Sequence, residues 1–293
     1  LPLLLVRYQI THTTTYIYDR PVTLAPHFLR LRPRCDVNQK LHAFSLTLDP
    51  PPKQLSENVD LDGNAVVKAW FTDEPLATLT VNACSQVETL CENPFVYLLE
   101  PWAINLPIDY SASLLGQLQP YLGGQRTSDP VAIDPVAIEL AQDLWQASQG
   151  NTIDFLSKLN QTIYSECGYL LRETGAALPA GITWRTKQGS CRDYAVLFME
   201  VCRAMGIAAR FVSGYQEGDL DSTDRHLHAW AEAYLPGAGW RGYDPTHGLA
   251  VADRHIPLVA SPNAKHTVPI SGTLKQGIGA QSEMTYQLRI EAI

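Results

Sequence analysis

A cationic surplus is missing from this chain: 22 Lys and Arg stand against 30 Asp and Glu, for a formal net charge of −8 over 293 residues. Binding to nucleic acid or to an anionic membrane draws on clustered Lys and Arg, so neither is expected as a partner. The local exception, Arg30-Leu31-Arg32-Pro33-Arg34, reads as a strand with solvated arginines rather than an anion site. Long apolar runs are missing too. The opening LPLLLVRYQITHTTTYIYDR has an apolar run of only six residues and no charged region ahead of it. It reads as neither a signal peptide nor a membrane span, and no later stretch approaches the length of a spanning helix. The first residue is Leu1 rather than Met, which leaves a targeting segment ahead of it open. A cytoplasmic protein with free thiols is the expectation.

Metal-site spacing is absent as well. The six cysteines, at 35, 84, 91, 167, 191 and 202, form no CxxC pair, and a chain this long does not need disulfide staples. No D-x-D-x-D-G calcium loop occurs. No metal and no other cofactor is therefore expected. Internal repeats and low-complexity tracts are lacking. What is there is enough apolar material for a real core: 45% of residues are hydrophobic and 18% charged.

Residues 7 to 100 read as strands. RYQITHTTTYIYD is rich in Thr, Tyr and Ile, LHAFSLTLDP alternates before a run of prolines, and Asp62-Gly63-Asn64 suits a hairpin turn. Short strands with frequent turn signals suggest a β-sandwich. The texture then changes. A Pro- and Gly-bearing connection leads to a helix from about Pro135 to Gly150, a second helix capped at Thr152, a loop, and a third helix entered at Ser190. Strands follow at ARFVSGYQ, HLHAWAEAYL and GWRGYDPT; the tail past 252 reads as loop with a last strand at MTYQLRIEAI. The expected fold is α+β, with an N-terminal β-sandwich domain over 1–110, a connection over 111–129 and a catalytic domain over 130–293.

The chemistry gathers after residue 180. Cys191 follows Gly189-Ser190 in the first turn of a helix, where unpaired N–H groups and the helix dipole favour a thiolate. His228 lies 37 residues on, in a strand that puts His228, Trp230, Glu232 and Tyr234 on one face and Ala229, Ala231 and Ala233 on the other. Across the turn PGAG comes Asp244. If Tyr234 opposes Trp240, Asp244 sits diagonally beside His228 on the same face and can orient its imidazole. Nucleophile, base and orienting acid are thus each in a suitable setting. Gln188, Trp184 and Tyr215 are candidates for the oxyanion site or the cleft. Asp193 and Arg210 read as a structural ion pair. The acidic loop QEGDLDSTD reads as solvated, with gating as its sharper alternative. His226 and His228, two apart on a strand, leave open a metal site shared with Cys191.

GSCRDYAVLFMEVCRAMGIAARFVSGY and HAWAEAYLPGAGWRGYDPTHG closely resemble the transglutaminase-like cysteine-enzyme superfamily, with Cys191, His228 and Asp244 at its triad positions. THTTTYIYDRPV, HFLRLRPRCD and DLDGNAV are similar to the bacterial transglutaminase-like N-terminal β domain. The resemblance implies a papain-like α+β core and thiol acyl transfer on amides. The expected activity is a cysteine amidase acting on peptide or isopeptide bonds of a peptide or protein substrate. A transamidase, and a non-catalytic peptide-binding module, are the alternatives.

Overall fold

The computed structural model describes residues 6–123, 133–172, 175–217, 226–277 and 279–293. Most of the acidic loop read above, from 218 to 224, lies outside them.

The first ninety residues form six strands: β1 (Val6–Leu24), β2 (His27–Leu29), β3 (Gln39–Asp49), β4 (Gln54–Val59), β5 (Ala65–Trp70) and β6 (Leu76–Thr89). Then come α1 (Ala112–Leu122), α2 (Pro135–Ala147), α3 (Thr152–Glu166), β7 (Gly168–Tyr169), α4 (Ala180–Thr186), β8 (Gln188–Gly189) and α5 (Cys191–Ala204). The remaining strands are β9 (Ala209–Gln216), β10 (Leu227–Leu235), β11 (Gly239–Asp244), β12 (Leu249–Ala250), β13 (His255–Ser261), β14 (Ile270–Ser271), β15 (Leu274–Gln276) and β16 (Ser282–Ala292). An N-terminal β-rich unit precedes an α+β core, as expected.

Two antiparallel sheets make the β unit. One runs β15-β1-β6-β3 with β16 also on β1; the other runs β14-β2-β5-β4. Alternation sets the first strand, since Tyr8, Ile10, His12 and Thr14 are all buried while their neighbours are less so. Between the sheets lies an aliphatic cluster that includes Val22, Leu29, Val67, Leu79 and Val81. The linear division at 130–293 gives the last strands to the catalytic domain, but β16 pairs with β1 from Tyr8↔Ala292 to Tyr18↔Ser282. The chain returns to its starting sheet. A strand's own residues do not say which distant edge it joins, so nothing in MTYQLRIEAI announces this.

The core is built on an antiparallel sheet ordered β12-β11-β10-β9-β13. The small face of β10 (Ala229, Ala231, Ala233) lets α5 approach, and they share a cluster with Leu197, Phe198 and Val201. The tail past 252 is not all loop before its last strand: it contains β13. Pro257 interrupts its pattern, and the pairing with β9 shifts register between Pro257 and Val259. A proline tolerated at an irregularity in an edge strand looks like a loop when read locally. Two smaller corrections concern helices. Asn151, not Thr152, caps α3 by accepting from Asp154 N–H at 3.0 Å. The loop before Ser190 contains α4.

Unit and core meet along a packed seam. Tyr8, Ile10 and Val87 pack with Tyr215, Ile256, Leu258 and Leu288. Asn64, in the β4–β5 turn, exchanges hydrogen bonds with the Ala260 backbone at 2.8 and 2.9 Å, so its amide imitates a strand partner. The Arg-rich piece is not a strand. Arg34 bonds Asn64 at 3.1 Å and Arg30 bonds Ser271 at 3.1 Å, while Arg32 stays solvated, 3.7 Å from exposed Glu57. No helix among the described residues is long and apolar enough to cross a membrane.

Candidate active site

The turn before α5 is locked by one carboxylate. Asp193 accepts from Ser190 N–H at 2.7 Å and Ser190 Oγ at 2.8 Å, closing the helix start on itself. Its other oxygen accepts from Leu178 N–H at 2.7 Å and Arg172 at 2.6 Å. The ion pair read for Asp193 is therefore with Arg172. Arg210 instead pairs with Glu232 at 2.6 Å, its cross-strand partner, over the Trp240 ring. Gly189 belongs to the same lock: a Cβ there would stand 2.9 Å from Asp193 Cβ and 3.0 Å from Tyr194 Cε1.

Cys191 is the first residue of α5 and is 7% exposed. The His228 imidazole and the Ala229 backbone act on its thiol as hydrogen-bonding groups. The register sets the rest. Tyr234 pairs with Trp240, which carries Asp244 to the diagonal position beside His228. His228 Nε2 lies 2.8 Å from Asp244 Oδ2, leaving Nδ1 as the ring nitrogen for Cys191. Asp244 is fully buried and also accepts from Thr246 N–H at 3.0 Å and His255 Nε2 at 3.0 Å.

Electrostatics couple the three groups. Burial opposes charge on the Cys191 thiol, but the His228 hydrogen bond and charge overcome it, helped by Ala229 N–H and Arg192, and hold the thiol below its ordinary value. Burial also opposes the imidazolium of His228, yet the Asp244 charge and hydrogen bond, with Cys191, raise it to about 10. Burial would raise Asp244; His228 and His255 hold it far below the carboxylate range. Both shifts favour the thiolate–imidazolium form of the pair. The contrast with other cysteines is sharp. All six are free thiols. Burial pushes Cys167 up to about 11 and Cys202 higher still.

The cleft candidates separate. Gln188 lies on β8, three residues before Cys191, with an exposed side chain. Trp184 is half-buried on α4, with Lys187 Nζ over its ring. Tyr215 is not in the cleft: it is 1% exposed, buried in the seam, with its hydroxyl 3.0 Å from His12 Nδ1. Its alternating position on β9 sends it toward the β unit. Two residues at the site gave no sequence signal. Tyr169 is half exposed, and its hydroxyl is pushed up to about 12 by burial, then by the charges of Cys191, Tyr286 and Asp244. His255 comes from β13, whose sequence resembles a loop.

His226 does not join a metal set with Cys191; it hydrogen-bonds Tyr286 of β16, so the β unit reaches the edge of the site. Ligand atoms of His228, Asp244 and His247 do lie within 4.8 Å of one another. Asp244 Oδ2 is already shared between two imidazoles, so a cation there would displace the His228 contact.

Residues 8–88 match the bacterial transglutaminase-like N-terminal region, and residues 138–245 match the transglutaminase-like superfamily. An uncharacterized protein of Mycobacterium tuberculosis is 29% identical over 283 residues, 92% of this chain and 87% of that one. A protein-glutamine gamma-glutamyltransferase of Pseudomonas aeruginosa is 34% identical over 130 residues, 41% of this chain but 20% of that protein. A solved structure from Cytophaga hutchinsonii, described as a candidate cysteine protease, shares the fold with a TM-score of 0.72 at 20% identity, covering 99% of this chain and 91% of that one. The chain belongs to the transglutaminase-like superfamily and carries its bacterial N-terminal region.

Proposed function

We propose that the protein is a thiol-dependent amide hydrolase acting on peptide or isopeptide bonds through Cys191, His228 and Asp244. The single observation that carries this reading is the buried chain of contacts from Cys191 to His228 to Asp244, which favours a thiolate beside an imidazolium. The thiolate attacks the amide carbonyl, forming the S–C bond and placing negative charge on oxygen. The Cys191 N–H at the start of α5 is placed to stabilise that charge, with Gln188 as the candidate second donor. His228 gives its proton to the leaving amine as the C–N bond breaks. Water then attacks the thioester and loses a proton to His228, and the acid departs with the thiolate restored. Asp244 orients His228 throughout.

Transamidation is the second reading, favoured by the similarity to the P. aeruginosa glutamyltransferase. It differs only in the acceptor, an amine in place of water, which needs a site that excludes water. Two measurements test the proposal. Iodoacetamide at pH 6 should label Cys191 ahead of Cys35 and Cys84; dominant labelling elsewhere would sink the thiolate reading. A peptide-library screen by mass spectrometry, run with millimolar lysine-like amine, should then yield free acid. Exchanged amide in excess would replace hydrolase with transamidase, and no product despite a labelled Cys191 would favour a binding module.

A further inference from the structure

Asp244 carries a second imidazole that the acyl-transfer steps do not use. His255 is 5% exposed and places Nε2 3.0 Å from Asp244 Oδ2, the oxygen that holds His228 at 2.8 Å. An ionised carboxylate only accepts, so His255 Nε2 donates, and in the neutral ring Nδ1 is then an acceptor. That Nδ1 is buried with no protein partner. Two other buried atoms are in the same condition: Trp230 Nε1, which can only donate, and Gln39 Oε1, which accepts.

All three side chains line one cavity of about 60 Å³ where the β unit meets the core. A water occupies about 10–15 Å³ by this measure and needs two or more polar partners, so the cavity has room and lining for a small ordered cluster. Gln39 belongs to β3 and is itself fixed, its Nε2 donating to Arg34 O at 2.6 Å and Pro257 O at 3.3 Å. Each charged group on the wall has a partner: Arg34 lies 3.6 Å from Asp36, Glu232 lies 2.6 Å from Arg210, and Arg241 sits over the Tyr97 ring with Nε donating to Ala238 O at 3.1 Å.

We propose that His255 is a positioning residue for Asp244, held as its Nε2–H tautomer by water in this cavity, so that Gln39 of the β unit supports the triad from behind. The inference rests on the reading of Cys191, His228 and Asp244 as a catalytic triad. With Thr246 N–H on Oδ1 and His255 on Oδ2, both carboxylate oxygens are pinned, and the plane that aims His228 at Cys191 cannot rotate.

The test compares His255→Gln with His255→Asn. Gln carries an amide N–H near the place of imidazole Nε2; Asn reaches only as far as Nδ1. Iodoacetamide labelling of Cys191 across pH reports the thiolate without a substrate. His255→Gln should label within about threefold of wild type. His255→Asn should label about tenfold slower at pH 6, its acid limb moved up by about one pH unit, the effect of losing one hydrogen bond to a charged group. Equal behaviour of the two variants overturns the proposal. Nitrogen-15 NMR of histidine-labelled wild-type protein gives an answer that does not depend on variants folding. His255 should appear as the Nε2–H tautomer, and an Nδ1–H signal overturns it. Unreactive Cys191 in wild type would instead defeat the triad reading itself.

Discussion

Both halves of the molecule rest on antiparallel sheets, but they bury different chemistry. Inside the β unit lie Val22, Leu29, Val67, Leu79 and Val81, an aliphatic centre with Tyr16, Phe44 and Phe71 packed around it. The core sheet buries Asp244, His228 and His255 beside Trp230. Three of the hydrogen-bonding side chains that the β unit buries reach across to the core, His12 to Tyr215, Gln39 to Pro257 and Asn64 to Ala260, while His27 and Thr89 bond backbone carbonyls within the unit. An aliphatic interior is held by area removed from water and asks little of geometry. A buried carboxylate is costly unless its partners are placed, and Asp244 has three. The most densely partnered polar burial in this fold thus lies at the candidate site and at the seam.

That contrast can be broken most directly with one substitution on each side. Cys191→Ala should abolish turnover to background, a loss of about 10⁴-fold or more, with no change in fold. Leu79→Ala, at a position with no exposure, should do the reverse: destabilise by about 2–5 kcal/mol while the folded fraction keeps its rate. Melting curves and activity per folded molecule separate the two, and loss of rate in folded Leu79→Ala would erase the distinction.

Asp244→Asn should lower turnover by about two to four orders of magnitude in a folded protein, since the group that sets the imidazole is lost. His228→Ala should fall at least as far. His226→Ala should cost about tenfold or less, because His226 bonds Tyr286 at the edge of the site rather than Cys191. Equal losses at His226 and His228, both folded, would revive a metal site, and a chelator would then inhibit. On the present reading EDTA leaves turnover unchanged.

At the seam the expected effect is on stability. Burial lowers the His12 pKa to about 4 from 6.5. The unfolded chain then binds a proton at a higher pH than the folded one. Stability from neutral His12 is thus complete above about pH 6.5 and lost as pH falls through about 4, amounting to about 3 kcal/mol. The raised His228 has the opposite sign: its contribution is full below about pH 6.5 and fades as pH rises through about 10. His12→Gln should flatten the acid side of a melting-temperature profile and leave the alkaline side alone. An unchanged acid side would mean that His12 does not set the acid lability of the seam.

How much of this was legible follows from the range of each signal. Cys191 at a helix start, the alternating face of β10 and the short turn to β11 are all local, and together they mark Cys191, His228 and Asp244 as candidates from the sequence. Capping, periodicity and hairpin register act over a few residues, so the chain alone determines them. The two-part organisation was equally legible, because a strand-rich composition gives way to helical periods. Other features depend on which distant segments meet. Tyr215 turned into the seam rather than the cleft, and Asp193 found Arg172 rather than Arg210. The last strand went back to β1, and β13, disguised by Pro257, carried His255 to Asp244. Pairing between remote strands is chosen by the packing of whole faces against each other. Tertiary structure alone decided it, because no short stretch of sequence contains both partners.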